Sequence, residues 1–245
     1  MNPVLARFAR GAGDLVFPPI CVGCREATPD GGRFRHLCLA CGERIDFVHP
    51  PHCTTCGHPF YGEVEGERLC PHCESLVPAY REGRTAVLLK GPARAIVHEL
   101  KYHQGLHVLE DIERIFQNSP GVLELARGAA LVPVPLHPRK QRERGYNQSQ
   151  LIAACLARVA GGGASVVELL RRKADTLSQT HHDRRARQAN LKNAFALAPG
   201  RTISAAQHYV LVDDVFTTGS TLNACALELR RAGALNLDVI TLGHG

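Results

Sequence analysis

The sequence has no tryptophan and a single methionine, and aromatic residues make up only 5% of it. Proteins that hold single-stranded bases by stacking normally devote several aromatic side chains to the task. The shortage therefore argues against a surface built mainly from them. No apolar run approaches the roughly 20 residues of a membrane-spanning helix, so membrane insertion is not expected. The N-terminal stretch also lacks the unbroken apolar core of a secretory leader, because Arg7, Arg10 and Asp14 interrupt it. The expected location is the cytoplasm.

Charge is plentiful but unevenly placed. Residues 1–80 hold 7 Lys+Arg against 9 Asp+Glu, and residues 81–245 hold 22 against 14. The formal net charge of +6 thus arises in the C-terminal two-thirds. A field of that sign attracts phosphorylated metabolites or nucleic acid, and it also serves plain solubility.

Cysteine is abundant. Of ten cysteines, eight form the pairs Cys21/Cys24, Cys38/Cys41, Cys53/Cys56 and Cys70/Cys73. The second set of four repeats the first at an offset of 32, with thirteen residues between the pairs in each set. Two intervening residues let both thiolates of a pair reach one metal from a tight turn, and two pairs close a tetrahedral zinc site. Disulfides suit secreted chains, and redox dithiols usually occur singly. Two structural Zn²⁺ ions are therefore expected, paired within each repeat or cross-braced between them. Residues 1–80 read as this double zinc module, whose folding draws much of its free energy from metal. Each four-thiolate centre adds negative charge, so docking suits the module better than nucleic-acid binding. Nearby His36, His49, His52, His58 and His72 read as surface residues. Cys155 and Cys225 stand alone in helical patterns and read as small core residues.

Residues 81–245 alternate strand and helix patterns. Strands are expected over 85–90, 129–134, 166–170, 208–212 and 237–242, and helices over 93–103, 148–159 and 222–231. Such alternation indicates an α/β domain, a mostly parallel sheet flanked by helices, with ligands beyond the carboxyl ends of its strands. At one such end stands Val210-Leu-Val-Asp-Asp-Val-Phe-Thr-Thr-Gly-Ser-Thr221. A helix N-terminus preceded by glycine and hydroxyl residues presents free N–H groups to a phosphate. Two adjacent carboxylates can accept hydrogen bonds from ribose hydroxyls or help hold a divalent ion through water.

That segment resembles the phosphoribosyl pyrophosphate motif of type I phosphoribosyltransferases. Leu100-Lys-Tyr102, Val134-Pro-Leu-His-Pro138, Arg144-Gly-Tyr-Asn-Gln-Ser149, Gln179 with Asn190, Asn193-Ala-Phe195 and the paired cysteines resemble the ComF/GntX-like family. These are zinc-finger proteins with a phosphoribosyltransferase domain, associated with competence for DNA uptake. His182 departs from the pattern, where a leucine would follow Gln179 by three residues.

The resemblance implies that Asp213 and Asp214 hold the ribose diol and act as the catalytic acids. It implies that Thr217, Thr218, Gly219, Ser220 and Thr221 hold the 5-phosphate. The turn Pro135, Leu136, His137 to Arg139 corresponds to the pyrophosphate loop, with Arg139, Arg142, Arg144 and Lys101 as further substrate-binding residues. The basic stretch from Arg171 through Arg184, Arg185 and Arg187 corresponds to a mobile flap. The implied reaction displaces pyrophosphate from ribose C1 by a nitrogen nucleophile, with Mg²⁺ as cofactor. Acceptor recognition would have to come from residues 81–128 or the zinc module. Two rival functions stand beside it: non-catalytic binding of single-stranded DNA or a DNA-uptake protein, and sensing of phosphoribosyl pyrophosphate.

Overall fold

The computed structural model describes residues 18–28, 32–62, 66, 68–71, 73–74, 76–173 and 194–245. In chain order the elements are α1 (Leu39–Glu43), β1 (Gly83–Leu88), α2 (Gly91–Tyr102), α3 (Leu109–Gln117), α4 (Pro120–Ala126), β2 (Ala130–Pro133) and α5 (Pro138–Arg144). They continue with α6 (Gln148–Ala160), β3 (Ser165–Val166), β4 (Leu170–Arg172), β5 (Phe195–Leu197), β6 (His208–Phe216), α7 (Ser220–Arg231) and β7 (Asn236–His244).

Five strands form one sheet in the order β1-β7-β6-β2-β3, and every pairing in it is parallel. The near-continuous burial of β2 and β7 follows from this arrangement: both faces are covered, so neither strand alternates inside and outside. Ile96, Val97 and Leu100 of α2, Ile112 and Ile115 of α3, and Ile152 and Leu156 of α6 fill one face. Leu222, Cys225 and Leu229 of α7 fill the other, together with Phe195. This is the α/β class expected, a parallel sheet between helical layers.

The cysteine-rich segment straddles the sheet. Cys21, Val22, Phe34, Leu37 and Cys41 join the core of one face, and Cys53, Cys56, Cys70, Cys73 and Tyr80 join that of the other. Between them, residues 46–48 run antiparallel along the outer edge of β1: Val48 N–H donates to Ala86 O at 3.0 Å and Leu88 N–H to Asp46 O at 2.9 Å. An exposed edge strand is thereby paired by the linker of the duplicated module. Contact there is tight, since a Cβ on Gly83 would lie 2.2 Å from Thr55 O.

Three expectations need correction. The strand read over 166–170 is two pieces in two sheets: the chain leaves β3 at Val167, and Leu170 begins β4, which pairs antiparallel with β5. Helices α3 and α4 were not read, although Ile112, Ile115 and Phe116 carry helical spacing and Pro120 opens α4. The strand placed over 208–212 continues to Phe216, because β7 runs alongside and pairs Asp213 with Thr241 and Val215 with Gly243. The two acids therefore lie within the strand, not beyond its tip.

Candidate functional site

The Sγ atoms of Cys21, Cys24, Cys38 and Cys41 converge, as do those of Cys53, Cys56, Cys70 and Cys73, each set lying within 4.8 Å of one another. Each repeat therefore closes its own site, and the cross-braced alternative is excluded. A tetrahedral Zn–S shell at about 2.3 Å requires sulfurs about 3.8 Å apart; Cys24 and Cys38 stand 3.6 Å apart and Cys56 and Cys70 3.5 Å apart. Contact with Cys56 draws the Cys53 thiol down while the same contact pushes Cys56 up. Such sulfurs can all be thiolates only around a cation. Both sets thus fit structural Zn²⁺. They differ in exposure: the second is wholly buried, whereas Cys24 reaches solvent.

Two histidines read as surface residues are structural. His36 Nδ1 lies 3.1 Å from Asp111 Oδ2, and the Asp111 carboxylate also accepts from the backbone N–H groups of Arg35 at 2.6 Å and His36 at 3.0 Å. Asp111 is fully buried in α3, so it ties the first zinc loop to the helical layer. His58 packs edge-on against His244 at the end of β7, with ring centres 4.8 Å apart.

On β6, Asp213 Oδ1 accepts from Ser149 Oγ at 2.8 Å and from the Asp214 N–H at 2.9 Å. Burial, then the Asp214 charge beside it, pushes the Asp213 carboxyl up to about 7. Lys101 Nζ stands 2.8 Å from Asp214 Oδ2. The pair is thus held apart electrostatically, one acid braced by a hydroxyl of α6 and the other by an ammonium of α2. Beyond Phe216, Gly219 caps α7 in the left-handed conformation with φ 69° and offers no side chain to the first-turn N–H groups. A Cβ there would lie 2.5 Å from Phe216 Cζ and 3.0 Å from Leu76 Cδ2, so only glycine fits. Thr218 Oγ1 and Ser220 Oγ face each other at 3.0 Å, Thr217 is exposed and Thr221 half-buried.

Pro135 to Arg139 leaves β2 at the same end of the sheet, and Val134 N–H bonds Val212 O of β6 at 2.9 Å. His137 Nδ1 caps α5 by accepting from Arg139 N–H at 3.2 Å. Leu136 lines a cleft of about 220 Å³ together with Pro135, Gln141, Leu170 and Arg172. Arg139 pairs with Glu143 at 2.9 Å, Arg142 is exposed, and Arg144 donates to Gln148 at 2.8 Å. The arginines are therefore spread along α5 rather than gathered at the acids. Arg184, Arg185 and Arg187, with Gln179, His182, Asn190 and Asn193, lie outside the described residues.

Sequence reading assigned no site role to Ser149 or Asn223. Ser149 closes the segment Arg144-Gly-Tyr-Asn-Gln-Ser149, which is its signal. Asn223 had none: its side chain accepts from Ala79 N–H at 2.7 Å and donates to Val77 O at 3.0 Å, fastening the exit of the second zinc loop to α7.

Residues 12–76 match the model of the double zinc ribbon domain. The chain is 30% identical over 230 residues to the DNA utilization protein YhgH of Salmonella typhimurium, covering 92% of this chain and 96% of that protein. It is 28% identical over 207 residues to competence protein F of Haemophilus influenzae, covering 83% and 88%. It is 22% identical over 245 residues to competence protein ComFC of Bacillus subtilis, covering 92% and 95%. No helix among the described residues is long and apolar enough to cross a membrane. Similarity of this extent to YhgH, together with the paired-cysteine ribbon, means that the chain belongs to the ComF family.

Proposed function

We propose that this protein binds phosphoribosyl pyrophosphate with Mg²⁺ at the carboxyl ends of β2 and β6, and that it serves competence or DNA utilization, as its relatives' names say of them. The observation that carries this reading is the adjacent pair Asp213 and Asp214, braced by Ser149 and Lys101, five residues ahead of an α7 N-terminus whose cap residue, Gly219, offers no side chain. The first-turn N–H groups of α7, with Thr217, Thr218, Ser220 and Thr221, receive the 5-phosphate. Asp213 and Asp214 receive the ribose 2- and 3-hydroxyls as acceptors. The segment from Pro135 to Arg144 faces the pyrophosphate, where the guanidinium fork suits paired oxygens.

Two carboxylates this close, one of them raised in pKa, are eased by a cation, and Lys101 supplies only one charge. The pair therefore fits a magnesium ion that arrives with the pyrophosphate, and such an ion would neutralise the departing oxygens. The residues themselves orient the ribose and stabilise charge; none acts as a covalent nucleophile. In a transfer step the bond from ribose C1 to pyrophosphate breaks, and a nitrogen of the acceptor forms the new bond to C1.

Titration calorimetry with phosphoribosyl pyrophosphate and Mg²⁺ tests the site. Asp213→Asn with Asp214→Asn should weaken binding at least a hundredfold while zinc content and circular dichroism stay unchanged. Equal affinity in the double variant would overturn the assignment. Pyrophosphate release from labelled substrate in a mixture of bases separates transfer from sensing.

A further inference from the structure

Asp214 is buried, and its Oδ2 atom makes no hydrogen bond to any described residue. What stands against that oxygen is the Lys101 ammonium, 2.8 Å away but out of line for a hydrogen bond. Burying a carboxylate is costly unless it is both paired and hydrogen-bonded. Here the first condition is met and the second is left open. The neighbouring acid differs, since Asp213 Oδ1 already accepts from Ser149 Oγ and from the Asp214 N–H.

The helix end that presents Lys101 is fixed. Lys101 lies in the last turn of α2. The Leu100 carbonyl accepts from the Tyr146 hydroxyl, and the Glu99 carbonyl accepts from the N–H groups of His103 at 3.1 Å and Gly105 at 3.2 Å. A Cβ on Gly105 would lie 2.5 Å from Glu99 Cγ, so the chain leaves the helix closely packed. The Lys101 side chain is only 21% exposed. What can move is its four-carbon stem, and a compact ammonium on such a stem can change partners.

A divalent ion cannot share Asp214 with this ammonium. The two cations would compete for one buried oxygen, and like charges at that range repel strongly outside bulk water. Magnesium is generally held by one or two carboxylates together with substrate phosphates, not by an all-protein cage. Resting on the function proposed above, we infer that Lys101 holds the place of that ion: it keeps free metal off the acid pair, and it yields Asp214 only when a pyrophosphate gives the ammonium a second anion. Metal and phosphoribosyl pyrophosphate are thereby admitted together. A lysine that merely braced the strand would have another signature, because its removal would weaken metal and phosphoribosyl pyrophosphate alike.

The test is Mn²⁺ binding to the zinc-loaded full chain, read from the paramagnetic resonance signal of the free ion, with and without phosphoribosyl pyrophosphate. Lys101→Met keeps the stem and removes the charge. It should tighten Mn²⁺ alone at least about tenfold. By linkage, the factor by which phosphoribosyl pyrophosphate raises Mn²⁺ affinity should fall by about the same amount. Lys101→Arg retains the charge and should leave Mn²⁺ alone as weakly bound as in the unaltered chain. Lys90→Met removes an exposed ammonium that stands 2.8 Å from Asp46 at the start of the same helix, and should shift Mn²⁺ affinity less than about twofold. Zinc content and circular dichroism check folding; if Lys101→Met does not fold, Lys101→Gln, which keeps a donor for Asp214, takes its place with the same expectation. Unchanged or weaker Mn²⁺ binding in the neutral variant would overturn the place-holder, as would equal tightening in Lys90→Met. If the unaltered chain binds no phosphoribosyl pyrophosphate while the neutral variant still tightens Mn²⁺, the phosphoribosyl reading fails and the hand-over with it, and Lys101 stands as a guard of the acid pair alone.

Discussion

Replacing Asp111 with alanine should cost about 4.5 kcal/mol of folding free energy. Asp111 is 0% exposed and holds the first zinc loop by accepting from Arg35 N–H at 2.6 Å, His36 N–H at 3.0 Å and His36 Nδ1 at 3.1 Å. Hydrogen bonds to a charged group contribute about 1.5–3 kcal/mol each. The lower figure applies here, because the donors lie on a half-buried segment that water can reach, and three of them give the total. Asp111→Asn keeps the shape and one acceptor oxygen, so it should cost about half as much. Urea unfolding followed by far-ultraviolet circular dichroism measures the loss. Zinc release to a chromophoric chelator locates it: release from the first site should quicken while the second, on the opposite face of the sheet, keeps its rate. A loss below about 1 kcal/mol in Asp111→Ala with unchanged release from both sites would refute the clamp.

Asp238 should behave as a second such anchor with a pH signature. Burial alone would raise its carboxyl, but hydrogen bonds from His208 and Arg81 outweigh burial and hold it below the ordinary carboxylate value. That stability is present above the unfolded pKa of about 4 and is lost as pH falls through the lower folded value. Asp238→Asn should cost about 3 kcal/mol at neutral pH and flatten the acid limb of a plot of thermal midpoint against pH; an unchanged limb would rule the anchor out. Gly219→Ala forces a side chain into the left-handed region against Phe216 and should destabilise by about 2 kcal/mol. Its effect on phosphoribosyl pyrophosphate affinity, by calorimetry, should exceed that of Gly200→Ala, another positive-φ glycine in a loop away from the acids. Chelator should strip zinc in two phases, the faster from the set containing the exposed Cys24. Cys24→Ser should abolish only that fast phase.

Much of the fold was legible because its signals are local. The paired cysteines repeat at a fixed offset, and the apolar runs of β2 and of Tyr209 to Val212 in β6 are too continuous for half-exposed strands. Boundaries failed where a neighbour decided them. The paired acids Asp213-Asp214 disfavour a strand by composition, yet β7 offers Thr241, Gly243 and His244 as pairing partners for Asp213, Val215 and Phe216, and the strand runs on. The break after Val167 is likewise a matter of partners: Val167 N–H reaches the Leu131 carbonyl, and Pro133, two residues further along β2, has no N–H to donate back. Propensity cannot report how long an adjacent strand is.

The candidate site divides the same way. Asp213, Asp214 and Thr217–Thr221 were readable because they are contiguous, and a contiguous segment keeps its order whatever surrounds it. Ser149 and Lys101, which brace the acids, come from α6 and α2, and only the packing of those helices on β6 brings them within 2.8 Å. The role of the zinc module was hidden for the same reason. As sequence it is a separate cysteine-rich segment; in space its linker seals β1, Asp111 holds its first loop, and Leu76 and Val77 of its exit lie against Gly219 and Asn223. Its metal therefore has a structural route to the loop that would hold phosphate. A module joined by contacts to both faces of the sheet does more than append a docking surface: it is tied to the first turn of α7 through Asn223.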